Sequence, residues 1–224
     1  MKKNSTEFYN KISSDYDILM AENTNGNRAQ TRSLFKELVP QGSKVLDFGG
    51  GTGTDAVWLT ENGYQVTFVD NAAKMTEQAR IKIKKANLDR EVYFLKGADT
   101  DFNNWQFDRP IFDAILANNS VVNSITSIDQ LFLKFSKVLH QNGILIITQC
   151  NMHTILKNKK NKLKYLFSKV LNKKLIVSIH FEESSHQTII YSDQEIAMAS
   201  QTYFELIKKQ ALLGDALLLC LRKK

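Results

Sequence analysis

The run from Lys44 to Leu59, Lys-Val-Leu-Asp-Phe-Gly-Gly-Gly-Thr-Gly-Thr-Asp-Ala-Val-Trp-Leu, constrains this chain more than any other stretch. An apolar strand ends beside an acid, passes into a glycine-dense loop and continues as a helix. Glycine accepts backbone angles that other residues resist, so Gly49, Gly51 and Gly53 permit a tight turn free of side chains. The helix that follows presents unpaired N–H groups at its start. That order of elements suits a nucleotide-type ligand. Gly51-Thr-Gly53-Thr-Asp-Ala56 fits the dinucleotide fingerprint G-x-G-x-x-G/A, and Asp70 closes the next apolar strand near the position of a ribose-binding acid. On the loop alone, a nicotinamide dinucleotide stays open as the ligand.

Apolar strands alternate with helical patterns over the next hundred residues. Strands are expected at 44–48, 65–70, 91–96, 111–117 and 143–149, and helices at 53–62, 73–86 and 127–139. Such alternation implies an α/β fold with a parallel sheet covered on both faces. Ligands of these sheets bind at the carboxyl ends of the strands. Asp47, Asp70, Asp99 and Asn118 all fall at or just beyond expected strand ends, which puts them on one rim.

Val45-Leu-Asp47-Phe-Gly49-Gly-Gly51-Thr-Gly53 resembles motif I of class I S-adenosylmethionine-dependent methyltransferases, written roughly V-L-D-x-G-x-G-x-G. Asp47 belongs to that pattern and not to the dehydrogenase one. Electrostatics agree, since S-adenosylmethionine carries a sulfonium and an ammonium and no pyrophosphate, and an acid near the loop attracts the first and repels the second. Phe68-Val-Asp70-Asn71-Ala-Ala-Lys-Met75 is similar to the second motif, whose acid bonds both ribose hydroxyls and whose Met flanks the adenine. Lys96-Gly-Ala-Asp99 resembles the segment that accepts from the adenine amino group. Leu139-His-Gln-Asn-Gly143 resembles the turn L-k-P-G-G, with its Pro replaced. Phe8-Tyr9…Asp15-Tyr16-Asp17 is similar to an N-terminal segment that caps the cofactor, with Tyr16 beside it. Asn118-Asn119-Ser-Val-Val-Asn123 resembles A-N-F-G-x-L-N of some small-molecule methyltransferases, Asn119 and Ser120 standing for Phe and Gly.

The resemblance covers residues 9–150 well and 187–222 loosely. It implies a Rossmann-like, doubly wound, mostly parallel seven-stranded sheet with a C-terminal antiparallel strand and helices on both faces. It implies S-adenosylmethionine as cofactor, held by Tyr16, Asp47, Gly49, Gly51, Gly53, Asp70, Asn71, Met75, Asp99 and Asn118. Asn119, Asn123 and Tyr191 are expected to touch the substrate. The implied activity is methyl transfer to an oxygen, nitrogen or carbon of a small molecule. An oxidoreductase using the same loop with NAD, and a non-catalytic cofactor-binding protein of this fold, are the alternatives. Where a general base is needed, His186 and His153 are the candidates. The N/D-P-P-Y tetrad of nucleic-acid amino-methylating enzymes is replaced by Ala117-Asn-Asn-Ser120, which argues against nucleic acid.

At 224 residues the chain suits one domain: N-terminal cap helices at 1–40, including an amphipathic helix from Asn27 to Leu38, a cofactor-binding core at 41–150, a substrate lid at 151–192, and a terminal helix and strand pair at 193–224. No apolar run approaches membrane-spanning length, and the two cysteines suit buried thiols, so a cytoplasmic protein is expected. No Cys/His cluster has ligand spacing, so no metal is expected.

The formal net charge of +7 is local in origin. Residues 130–181 hold ten Lys and no Asp, Glu or Arg, and the rest of the chain is net acidic. Apolar residues recur among those lysines at helical spacing between Ile155 and Leu171, the pattern of a basic amphipathic helix over 153–171. The partner expected there is an acidic, lipid-like or carrier-bound small molecule, or a membrane surface. Leu175–Phe181 and His186–Tyr191 read as a hairpin, and Ser192-Asp-Gln-Glu195 as a capping box.

Overall fold

The protein is described here from a computed structural model that covers residues 5–96, 100–102, 111–171, 173–181 and 184–224, with the backbone alone at 22–25, 179–181 and 184. Two N-terminal helices, α1 (Ser5–Ile12) and α2 (Tyr16–Leu38), precede the alternating core. The core runs β1 (Lys44–Phe48), α3 (Thr54–Glu61), β2 (Gln65–Val69), α4 (Ala73–Lys85), β3 (Val92–Phe94), β4 (Phe112–Ala117), α5 (Ile128–Val138) and β5 (Leu139–Cys150). Then come α6 (Met152–Ile155), α7 (Lys159–Val170), the hairpin β6 (Leu175–Phe181) and β7 (Ser184–Ile190), α8 (Asp193–Ser200), β8 (Phe204–Ala211) and β9 (Ala216–Lys223).

Seven strands form one sheet in the order β3-β2-β1-β4-β5-β9-β8, and β6 and β7 form a separate pair. β1 pairs parallel with β2 and with β4, and β9 pairs antiparallel with both β5 and β8. The expected mostly parallel, doubly wound sheet with an antiparallel C-terminal strand is therefore present. Four of the five β1 residues are buried, as an apolar strand covered on both faces must be. On one face Phe35 of α2, Ala56 and Leu59 of α3 and Ala79 and Ile83 of α4 pack on Val45 and Val66. On the other, Leu131, Phe132 and Phe135 of α5 and Ile196 of α8 pack on Leu46 and Ile115. Chain order reverses between β1 and β4, so a cleft opens at their carboxyl ends. Phe8, Ile12 and Tyr16 close over that end against Ala72 and Met75.

Four local expectations change. The helix expected from Asn27 begins at Tyr16 and runs unbroken for 23 residues through Gly26. Tertiary contact overrides the weak local propensity there. Asn27 clamps Leu213 by two hydrogen bonds of 3.1 and 2.8 Å, and a Cβ on Gly26 would sit 2.7 Å from Leu213 Cδ1. β5 starts at Leu139 and not at 143, because Leu139 pairs with Phe112 across a bulge, and Asn142 absorbs it at φ +64. The lysine-rich helix divides into α6 and α7, since the Asn158 side chain accepts from the backbone of Lys160 and Asn161 and starts a new helix. The first hairpin strand has its expected bounds, and the second starts two residues earlier than expected, at Ser184 opposite Phe181. The Ser192–Glu195 capping box forms as expected.

Candidate functional site

Asp70 organises the cleft. Its Oδ2 accepts the Gly51 amide at 2.9 Å, and its Oδ1 accepts the Ala72 amide at 2.8 Å. One carboxylate thereby joins the glycine loop to the start of α4. Each oxygen keeps a further lone pair. Burial pushes the carboxyl up to about 6, and the two backbone bonds hold it back from rising further. Asp70, Asn71 and Met75 line the cleft together with Gly49, Gly51 and Asn119.

The loop bends because Gly49 and Gly51 take φ of +70 and +57. Backbone packing also requires the first, since a Cβ on Gly49 would lie 2.2 Å from Val121 Cγ2. A Cβ on Gly51 would point instead into the cleft, 3.9 Å from Tyr16 Cε1. Gly53 ends the loop against Ala79 at the start of α3. Tyr9 and Tyr16 cover the cleft from the cap and leave about 40 Å³ free within it. The phenol of Tyr16 is raised to about 12 by burial. Asp17, next along α2, binds the loop to α4: Thr52 Oγ1 donates to it at 2.6 Å and Lys82 Nζ at 2.5 Å, while Lys82 also donates to Thr54 at 2.7 Å.

Asp47 lies beneath the loop. It is 1% exposed, and its Oδ2 has no hydrogen-bond partner among the described residues. Burial, with Asp55 and Asp70 nearby, holds its carboxyl well above the usual range. A Cβ on Gly50 would sit 2.6 Å from that oxygen, so Asp47 lies under the loop and, though expected at the cofactor, is not among the residues that line the cleft.

Tyr9, Tyr16, Asn119 and Ser124 line both this cleft and a larger neighbouring chamber of about 630 Å³. Phe8, Ile12, Leu19 and Met20 of the cap form one wall, and Leu212 and Leu213 another. Asp215 is the one charged residue of its lining among the described residues. His186 of β7 enters this chamber, 3% exposed, with ring centroids 4.6 Å from Phe8 and 5.3 Å from Tyr9. Thr188 Oγ1 lies 3.5 Å from its Nε2, and burial lowers its pKa against a backbone hydrogen bond at Gln187 that raises it, so the ring is neutral at neutral pH.

Several expected site residues stand elsewhere. Asn118 reaches the chamber wall, but its side chain is consumed by structure: Nδ2 donates to Asp55 Oδ2 at 2.8 Å, and Oδ1 accepts from Thr148 Oγ1 and the Asn119 amide at 2.9 Å each. Asn123, expected at the substrate, is 1% exposed and clips the hairpin to β5, donating to Ile189 O and accepting from the Cys150 amide. Tyr191, also expected there, is a buried wedge whose hydroxyl donates to Ile125 O. The His153 side chain is 81% exposed and lies 3.5 Å from Asp193, outside the chamber. Asp99 lies outside the described residues. The lysines of 157–174 do not line the chamber.

The sequence reading missed one constellation. Asp55 of α3 is 4% exposed and receives Arg28 at 3.4 Å, Arg32 at 2.8 Å and Asn118. The two arginines sit four apart on α2 and so share one helix face, and Asp55 follows the loop directly; that spacing was the available signal. The cluster fastens α2 and the β4 end to the helix behind the glycine loop.

Residues 40–205 match the family described as "Methyltransferase domain". The chain is 28% identical over 123 residues to the tRNA 5-carboxymethoxyuridine methyltransferase of Escherichia coli (strain K12), covering 55% of this chain and 46% of that protein. It is 29% identical over 126 residues to EEF1A lysine methyltransferase 2 of Mus musculus, covering 54% and 51%. The chain thus spans about half the length of these curated relatives. Its fold is similar to that of the N-methyltransferase NodS from Bradyrhizobium japonicum WM9, solved with S-adenosyl-L-homocysteine, at a TM-score of 0.69 over 99% of both chains and 12% identity.

Proposed function

The chain belongs to the methyltransferase-domain family, and on that premise we propose that it moves the methyl group of S-adenosylmethionine to a small-molecule acceptor seated in the apolar chamber. The observation that carries the reading is the adjacency of the Asp70 cleft and that chamber, which share Tyr9, Tyr16, Asn119 and Ser124 in their walls. Asp70 and Met75 would hold the cofactor's nucleoside. The family match favours this cofactor over a nicotinamide dinucleotide.

Bound S-adenosylmethionine supplies an activated methyl group on sulfonium. The protein's part is to position and to exclude water. Asp70 has lone pairs that would accept from the ribose hydroxyls, Met75 and Asn71 would flank the base, and Gly51 would let the ligand approach the backbone. Tyr9 and Tyr16 shield the transfer from solvent. Where the acceptor carries an N–H or O–H, His186 takes its proton, since its neutral ring lines the chamber.

The size and apolar lining of the chamber support a small acceptor, and a lining without Lys or Arg among the described residues gives a nucleic-acid backbone nothing to bind. The test is transfer from methyl-labelled S-adenosylmethionine into small-molecule, RNA and protein pools, beside calorimetry with S-adenosylhomocysteine. Label in the low-mass pool is expected. Label confined to RNA or protein overturns the acceptor class, and absence of cofactor binding overturns the whole reading.

A further inference from the structure

Helix α7 packs on one side only. Asn161, Tyr165 and Ser168 are half-buried, and Tyr165 joins the small cluster of Met152, Leu175 and Ile190. A second stripe, Leu163, Leu166, Phe167, Val170 and Leu171, is 52% to 84% exposed. At 3.6 residues per turn the two sets occupy opposite sides of the helix, so the apolar stripe points straight away from the protein. Lys162 and Lys169 border it on one edge and Lys164 on the other, while Lys159 and Lys160 stand at its start.

A solvated lysine-rich helix gains from Glu four residues from Lys, but no acid occurs anywhere in 130–181. The residues opposite the packed face are apolar where a solvated helix is polar. The exposed apolar side chains belong to five positions of one arc and not to scattered sites.

We propose that α7 is an in-plane anchor that docks this chain on an anionic lipid bilayer. The stripe enters the headgroup–acyl boundary, and the bordering lysines extend their stems along it and place their ammonium groups at lipid phosphates. Charge complementarity selects this occupant. A second copy packed stripe to stripe would set lysine edge against lysine edge. A nucleic acid would leave the stripe in water, and the segment offers no Arg for a phosphate fork. The anchor does not depend on the methyl-transfer reading, because it needs neither cofactor nor chamber. A single helix of this size binds reversibly.

The experiment is co-sedimentation of the full chain with vesicles of phosphatidylcholine alone and of equal phosphatidylcholine and phosphatidylglycerol, at low and high salt. Partition to the mixed vesicles is expected to exceed partition to the neutral ones by about tenfold or more, and to weaken with salt. Replacing Phe167 and Val170 by Ser is expected to lower it about tenfold with an unchanged melting curve, because both side chains are exposed. Lys162→Gln, Lys164→Gln and Lys169→Gln together are expected to remove the salt dependence. Equal partition to both vesicle types, or wild-type partition by the serine variant, overturns the anchor. So does a doubled mass in light scattering that the serine variant returns to monomer, which assigns the stripe to a second copy.

Discussion

The Asp70 carboxylate spans two amides, Gly51 at 2.9 Å and Ala72 at 2.8 Å, so one side chain sets both the ligand-facing loop and the start of the next helix. Because its pKa lies near 6 and above the unfolded value, the ionised form costs folding free energy. The proton is lost first from the unfolded chain, so this residue's effect on stability worsens as pH rises from about 4 to about 6. Binding has the opposite sign, since a ribose hydroxyl donates to the ionised form. Affinity for S-adenosylhomocysteine is expected to fall as pH drops through about 6. Asp70→Asn is expected to flatten that dependence, weaken binding by about 1.5–3 kcal/mol and lower the melting temperature, because an amide has one acceptor oxygen and turns its NH2 toward one of the two backbone N–H groups. Calorimetry and thermal melting across pH check both halves.

Two loop glycines are expected to differ. Gly51→Ala puts a side chain at φ +57 with open space ahead, so it costs about 1–2 kcal/mol of stability while narrowing the cleft. Gly49→Ala adds a clash with Val121 and is expected to cost more. Denaturant unfolding separates them, and cofactor titration shows whether Gly51→Ala loses affinity out of proportion to its stability.

Asp55→Ala removes the shared partner of Arg28, Arg32 and Asn118. Stranding a buried guanidinium is expected to cost about 3–5 kcal/mol. Asp17→Ala acts on a half-exposed clasp and is expected to cost about 1 kcal/mol or less. Equal losses in urea unfolding would contradict the placement of Asp55 behind the loop.

His186→Gln is expected to lower the rate for a proton-bearing acceptor by about 10²–10⁴-fold and to leave S-adenosylhomocysteine affinity unchanged. Burial depresses the imidazole pKa, so in the wild type the base form persists below the usual histidine range, and the rate is expected to hold to lower pH than a solvated histidine would allow before declining. A pH–rate profile of both proteins decides it.

The sheet, the glycine loop and the rim at the strand ends were legible in the sequence because each rests on neighbours a few residues apart: apolar periodicity in Val45–Phe48 and Gln65–Val69, and backbone freedom at Gly49 and Gly51. Asp70, Asn71 and Met75 reach the cleft because they follow directly from a strand end, where chain direction alone aims them. The fates of Asn118, Asn123 and Tyr191 were decided by partners more than sixty residues away, at Asp55, Ile189 and Ile125. A polar side chain at a rim serves either a ligand or a buried partner, and the cost of an unpaired buried group settles which. Sequence placed these groups near the site; only the tertiary structure decided that they hold the scaffold, that His186 and not His153 faces the chamber, and that the apolar stripe of α7 faces out. The physical reason is that periodicity and backbone preference are local, whereas hydrogen-bond satisfaction and burial belong to the packed whole.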